Sequence, residues 1–340
     1  MGEYYGIDLH CKKINLASVN PTNGNLEGEV HSGDFENFES QNDLLEFVIN
    51  YIPKCSRIGI SVPGVLDREN FLVKSVNSKL GNLITLGRDL RDKGYDITLE
   101  NDVISEGLAS SIFGHGRGVN SFVLATYSSG HNCVRVEKGT VNFNPEFGHQ
   151  DYDHNSEIIC GCGIKGCLEI YCSGNGAGKM AADFFKNLDY DSSISSDREI
   201  LDLALIDYNN KNNLNCGWDD FSSNNFENEI LSNINGKNVY GAYMKNPRGM
   251  PQRLIRDVQI EGIANSLNRM TVSYNPLDII VLKGGLTEVW EELFEPAIER
   301  YSEIGFIAKN YLKKPEILKT NIKEIGIVGG VANSLNQNGY

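Results

Sequence analysis

The chain has 340 residues, 40% hydrophobic and 22% charged, and a formal net charge of −14. That size exceeds one small core and suits about two soluble domains, while the acidic balance excludes a broad nucleic-acid or anionic-membrane face, which needs basic charge. No apolar run reaches spanning length, no charged-then-apolar leader opens the chain, and eight cysteines with three of them clustered fit a reducing cytoplasm better than a disulfide framework.

Tyr4-Tyr-Gly-Ile-Asp8 reads as a buried strand running into a polar turn, and Lys13 to Val19 alternates as its hairpin partner. Glu29 to Phe35 is expected to add a third strand. Ser40 with Asp43 forms a capping box ahead of the helical apolar series Leu44, Leu45, Phe47, Val48 and Tyr51. Arg57 to Val62 is a short strand stopped by Pro63-Gly64. Ile97 to Glu100 is another, delivering Asn101-Asp102 at its carboxyl end before a helix from Val103 to Phe113.

The plan then repeats: a strand from Ser121 to Tyr127, the turn Ser128-Ser129-Gly130, then partner strands Val134 to Glu137 and Val141 to Phe143 around a Lys138-Gly139 turn. The repeat is architectural, without residue-level self-similarity. About 189–238 is rich in Asn, Asp and Ser, which predicts a polar surface insertion with one helix near Ile200 to Tyr208. A long helix follows from Pro251 to Tyr274, then a buried strand Asp278 to Leu282 reaching Gly284-Gly285, and a helix from Glu288 to Tyr301. Glu324 to Val328 then leads to Gly329-Gly330 and a last short helix. Strands alternating with helices predict an α/β fold. The expected division is 1–118 and 119–340, an approximate boundary, with the C-terminal helix able to return to the first domain.

The densest chemistry lies between Glu146 and Glu169. Cys160, Cys162 and Cys167 stand at C-x-C-x4-C spacing, with His149 eleven residues ahead of the first. One imidazole and three thiolates make a full set for a tetrahedral structural zinc. Gly161, Gly163 and Gly166 give the knuckle its backbone freedom. The plainer alternative is ordinary reduced cysteines buried as small hydrophobes. Glu146 and Glu169 bracket the knuckle, so a metal would fix two carboxylates that can accept bonds from sugar hydroxyls.

Asp102, at a strand's carboxyl end, is the candidate general base; by position alone it could equally cap the helix from Val103. Asp8 is placed to hold a magnesium ion beside phosphates, or to serve as a turn aspartate. Gly284-Gly285 and Gly329-Gly330 would let backbone approach an adenine or a phosphate, though such pairs usually just end strands. His115 and Arg117, in a glycine-rich loop, read as surface residues.

Glu146-x-Gly-His149 followed by Cys160-Gly-Cys162-Gly-x-x-Gly-Cys167-Leu-Glu169 resembles the signature of the ROK family (repressors, open reading frames and sugar kinases). Asp8, Pro63-Gly64, Glu100-Asn101-Asp102 and the glycine pairs extend the resemblance over most of the chain, leaving out the insertion. It implies an actin-like ATPase (ribonuclease H-like) fold, two α/β domains around a cleft in a homodimer. It further implies ATP- and Mg-dependent phosphorylation of a hexose or N-acetylhexosamine, glucokinase-like, with a structural Zn and with sugar and nucleotide as partners. Under it, Asp102 is the base that deprotonates the sugar hydroxyl for in-line attack. Asn101, Glu146, His149 and Glu169 bind the sugar, and His149 shares its two nitrogens between zinc and sugar. Asp8, Lys12, Ser129, Gly130, Gly284 and Gly285 face the nucleotide.

Two departures stand out. The family's first phosphate loop reads Asp-x-Gly-Gly-Thr-Lys, where this chain has Asp8-Leu-His10-Cys11-Lys12-Lys13; the second reads Gly-Thr-Gly-x-Gly, where it has Ser128-Ser129-Gly130-His131-Asn132. Such glycines let amides close on phosphates, and His10, Cys11 and Asn132 bring side chains there instead. The alternative is therefore a catalytically impaired sugar-binding sensor or regulatory protein of the same fold. Repressor members carry an N-terminal helix-turn-helix, and a chain starting this near its first strand is expected to lack the DNA-binding part.

Overall fold

The computed structural model describes residues 3–10, 13–74, 83–143, 146–188, 198–221, 223–305 and 310–337. The first third carries β1 (Tyr4–Leu9), β2 (Lys13–Val19), β3 (Leu26–Asp34), α1 (Gln41–Tyr51), β4 (Arg57–Val62), β5 (Val65–Asp67), β6 (Leu72–Lys74), β7 (Leu83–Ile84), α2 (Leu86–Asp92), β8 (Asp96–Asn101) and α3 (Asp102–Phe113). Next come β9 (Ser121–Tyr127), β10 (His131–Glu137), β11 (Thr140–Phe143), α4 (Leu168–Cys172), α5 (Gly174–Lys186), α6 (Glu199–Asn212), α7 (Ser223–Glu229), α8 (Gly236–Lys245) and α9 (Met250–Ser273). The chain closes with β12 (Ile279–Lys283), α10 (Glu295–Glu303), β13 (Glu316–Lys319) and α11 (Ile325–Gln337).

Two five-stranded sheets share one plan. The first runs β3-β2-β1-β4-β8 and the second β11-β10-β9-β12-β13. In each, the first strand is central, antiparallel to its hairpin partner and parallel to a strand that returns later. The repeat expected from the sequence is thus present in strand order and direction. β5, β6 and β7 add a small antiparallel sheet beside the first.

Consecutive burial of Ile7, Asp8 and Leu9 marks β1 as covered on both faces, the pattern of a strand inside a layered sheet. One cover is α11. Its backbone lies so close to the sheet that a Cβ on Gly6 would stand 1.9 Å from the Ile327 carbonyl oxygen, and one on Gly59 would stand 1.7 Å from that of Gly330. Thr98 and Ser334 share a hydroxyl hydrogen bond at 2.8 Å, and Asn333 Nδ2 donates to Ser105 Oγ at 2.8 Å. Residues of α3 and α11 form one apolar cluster with Phe122 and Leu124 of β9, Val134 and Val136 of β10, and Val281 of β12. Two helices therefore lie between the sheets, and α3 carries Asp102 at its first position.

Three expectations change. Ile325-Gly-Ile-Val328 is the first turn of α11 rather than an element ahead of it, and Gly329 and Gly330 allow close contact of that helix with Ser105 of α3 and Gly59 of β4. The polar segment 189–238, where described, is helical and contributes to the largest core through Ile200, Leu201, Ala204, Leu205, Phe221, Phe226, Ile230 and Leu231. Its apolar side chains are few, and those that anchor it are buried while Ile206 and Leu214 stay exposed, so average polarity hides the core-forming ones. The 288–301 helix is a 3-10 turn, Gly285–Val289, and a π turn, Trp290–Phe294, before α10.

Candidate active site

β8 ends at Asn101 because that residue's side chain accepts from the Val103 N–H at 3.1 Å and caps α3. The capping role that position alone would give Asp102 thus falls to its neighbour, although Asp102 Oδ1 also accepts from Val103 N–H, at 2.9 Å. Burial raises the Asp102 carboxyl above its ordinary range, and the nearby Lys283 charge pulls it partly back. From outside, Arg68 in the turn after β5 grips Glu100 with Nε at 3.1 Å and Nη2 at 2.5 Å. Since Glu100 Oε1 also accepts from the Asn101 N–H at 2.7 Å, that clamp braces the strand end that presents Asp102.

One turn along α3 from Asp102, Glu106 is buried and ion-paired with Lys283 at the end of β12. Burial pushes the Glu106 carboxyl up to about 7, against the lowering pull of Lys283. Asp8 is buried at the end of β1 with Oδ2 2.7 Å from His10 Nε2, and that hydrogen bond raises the His10 ring. Neither Glu106 nor Lys283 was singled out in the sequence; they stand 177 residues apart and belong to no motif. Cys11 and Lys12 lie outside the described residues.

Behind Lys283, the positive φ of Gly284 (106°) turns the chain so tightly that a Cβ there would meet the Tyr127 carbonyl oxygen at 2.3 Å and the Ser128 nitrogen at 3.1 Å. The Ser128–Gly130 turn is tied down: the Ser128 and Ser129 carbonyls accept from Gly174 and Asn175 N–H at 2.7 and 3.0 Å. Asn132 Oδ1 accepts from the Phe147 N–H at 3.2 Å, holding the stretch that leads to His149. His131 is fully buried between the Thr126 carbonyl at Nδ1 (3.0 Å) and Ser266 Oγ at Nε2 (2.8 Å). Burial lowers its pKa to about 4, so it is a neutral structural ring.

The turn reaches the knuckle through Glu169. Its Oε2 accepts from the His131 N–H at 3.2 Å, and its Oε1 from the Cys160 thiol at 3.4 Å. His149, Cys160, Cys162 and Cys167 bring one ligand atom each to within 4.8 Å of one another. Cys160 Sγ lies 3.5 Å from His149 Nδ1, and Cys162 Sγ 3.5 Å from Cys167 Sγ. Burial holds the Cys160 and Cys167 thiols up at about 12 and 11, a burden that a zinc ion relieves by stabilising the thiolates. Nitrogen and sulfur donors converging in this number fit zinc. His149 Nε2 points the other way, 3.3 Å from the Glu146 carboxylate, and Glu146 sits at a left-handed φ of 68°.

The profile described as ROK family matches residues 4–329. The chain belongs to that family. Among curated ROK-like relatives, the glucokinase of Thermotoga maritima is 25% identical over 81% of this chain and 78% of its own length. The N-acetylgalactosamine kinase of Shewanella sp. is 28% identical over 53% of this chain, and the match spans 64% of that protein. The xylose repressor of Bacillus subtilis is 25% identical over 57% of this chain and 54% of its own. Among solved structures, a ROK family glucokinase from Streptomyces griseus in complex with glucose and AMPPNP superposes with a TM-score of 0.69 at 17% identity, covering 99% of this chain and 100% of that one. A ROK family transcriptional regulator, a homologue of the E. coli MLC protein, gives 0.67 at 16%, over 97% of this chain and 77% of that one. The fold is accordingly the actin-like ATPase fold of ROK proteins. No helix among the described residues is long and apolar enough to cross a membrane.

Proposed function

We propose that the protein is an ATP-dependent sugar kinase that phosphorylates a hexose or N-acetylhexosamine. The observation carrying this reading is an unbroken run of contacts from base to knuckle. Asp102 lies one turn from Glu106, Glu106 pairs with Lys283, Gly284 packs on Ser128, and the turn that ends at Gly130 abuts Glu169 of the knuckle. A base, a phosphate turn and a sugar wall in that order match what phosphoryl transfer to a hydroxyl requires.

In this reading Glu146, His149, Glu169 and Asn101 orient the sugar, the His149 ring doing so with the nitrogen that zinc leaves free. Asp102 accepts the proton of the attacking hydroxyl, and its raised affinity for protons suits a base that must act only as the bond forms. Asp8, Ser129, Gly130, Gly284 and Gly285 face the magnesium-bound nucleotide, and Lys12 is assigned to it from the resemblance alone. Two features favour that placement: Asp8 Oδ1 is buried without a hydrogen-bond partner, and a Cβ on Gly285 would meet nothing within 4 Å, so its backbone lies open. The magnesium ion supplies charge neutralisation for the donor phosphates. Domains meeting near residue 118, a homodimer and a reducing compartment belong to the same proposal.

A panel of hexoses and N-acetylhexosamines with Mg-ATP tests it, read as ADP release. At least one sugar is expected to turn over. Sugar binding by calorimetry without ADP from any sugar would overturn the kinase reading. It would leave the second one, a sugar-binding sensor of the same fold, which the His10 contact on Asp8 favours by occupying the carboxylate.

A further inference from the structure

Lys283 is the last residue of β12 and pairs in register with Thr126 of β9, two positions before Ser128. Its backbone therefore leaves the second sheet just before the Ser128–Gly130 turn, against which Gly284 packs, and its ammonium reaches across to Glu106 on α3. Both side chains are nearly sealed from solvent, 12% and 3% exposed. Sealing two charges this way costs several kcal/mol per ion in general, and apolar residues often serve stability equally well. A pair placed here asks for another reason.

Three details supply one. Glu106 spends one oxygen on the ammonium while Oε2 is buried with no partner. The charges of Asp8 and Asp102 also act on Lys283, raising its affinity for protons after the larger effects of burial and Glu106, so the ammonium has more carboxylate near it than a stable pair needs. The first loop offers His10 where the resemblance expects a glycine amide, and His10 is engaged with Asp8. A fixed ammonium can replace missing amides as a point charge for phosphate.

We propose that Lys283 is the cation that binds the phosphoanhydride chain of the phosphoryl donor, and that Glu106 is its counter-ion while no donor is bound. The proposal rests on the kinase reading for where the donor lies. When the chain enters with its magnesium ion, a phosphate oxygen takes the place of the Glu106 carboxylate at the ammonium, while Asp8 and Asp102 face the incoming divalent charge. No covalent bond changes in this exchange. A nucleoside triphosphate and an inorganic polyphosphate present the same chemistry to Lys283.

The test is calorimetric binding of Mg-AMPPNP and, separately, of Mg-tripolyphosphate to the wild type, Lys283→Met and Glu106→Gln, with zinc content and sugar binding as folding controls. Lys283→Met is expected to weaken the bound phosphoanhydride at least tenfold. Glu106→Gln is expected to tighten it several-fold, because the ammonium loses its resident anion. Loss on both ligands assigns Lys283 to the phosphate chain alone; binding and loss on AMPPNP only makes the donor a nucleotide. Unchanged or tighter binding by Lys283→Met overturns the proposal, as does a wild type that binds neither ligand at millimolar concentration. If Lys283→Met fails to fold, the double variant Lys283→Met/Glu106→Gln removes both charges together and reads the same loss. Should the wild type phosphorylate no sugar yet lose triphosphate binding on Lys283→Met, the kinase reading fails and the phosphate site stands.

Discussion

His149 stands between a thiol and a carboxylate: its Nδ1 is 3.5 Å from Cys160 Sγ, and its Nε2 is 3.3 Å from the carboxylate of Glu146. One ring thereby couples the candidate metal ligands of the knuckle to a candidate sugar contact. Metal analysis of the wild type is expected to give about one zinc per chain. Cys160→Ser should lose the metal and sugar affinity together. Glu146→Gln should keep the metal and lose only sugar affinity, by about tenfold for one charged hydrogen bond. A Cys160→Ser protein that binds sugar normally would break the coupling.

Asp102 opens α3 while Asn101 supplies the side-chain cap, so replacing its carboxylate need not unravel the helix. Asp102→Asn should lower kcat by about 10²- to 10⁴-fold, the usual range for general base catalysis. Sugar affinity should stay within about tenfold, because a base acts on the chemical step. Rapid-quench turnover beside equilibrium sugar binding separates the two. Equal losses in both would make Asp102 a binding group.

Glu106 carries a pH signature. Its carboxyl moves from 4.5 to about 7 on folding, with burial as the largest cause. The folded chain therefore holds a proton that the unfolded chain has released, and this contribution to stability is full below 4.5 and lost as pH rises toward about 7. Glu106→Gln cannot titrate, so its melting temperature should fall less than the wild type's across that window. Parallel melting curves for the two proteins would remove Glu106 from the linkage.

The approach of α11 to the first sheet leaves no room for a methyl group. Gly59→Ala would put a Cβ 1.7 Å from the Gly330 carbonyl oxygen, backbone that cannot rotate aside. A loss of about 3 kcal/mol or more is expected, at the upper end of overpacking costs. Gly161→Ala, which meets nothing within 4 Å, should change stability by less than about 0.5 kcal/mol. Urea denaturation of the two variants makes the comparison.

The central strands were legible in the sequence because β1, β4 and β9 are short apolar runs ended by polar turns and β2 alternates beside β1. The knuckle was legible because its ligands sit within one stretch. The Glu106–Lys283 pair was not, since nothing local announces a contact between residues 177 apart. The start of α11 was obscured because Gly326, Gly329 and Gly330 are poor helix formers, and only close contact with β1 and β4 accounts for them. The helices of the 189–238 segment were obscured by composition: α6 needs only Ile200, Leu201, Ala204 and Leu205 to anchor it, and its other positions are free to be polar. β5 to β7 are strands of two or three residues, too short to show alternation.

The seating of α11 on β1 and β4 also sets an order in time. The first sheet is complete in sequence by Asn101, yet its covering layer arrives only with residues 325–337. During synthesis the N-terminal sheet must wait, one face bare, until nearly the whole chain has left the ribosome. Contacts spanning so much sequence slow folding and leave apolar surface exposed meanwhile. Chaperone dependence of this protein is therefore expected to track the final helix, and a nascent chain stopped before residue 325 should be bound by a chaperone far longer than the finished one.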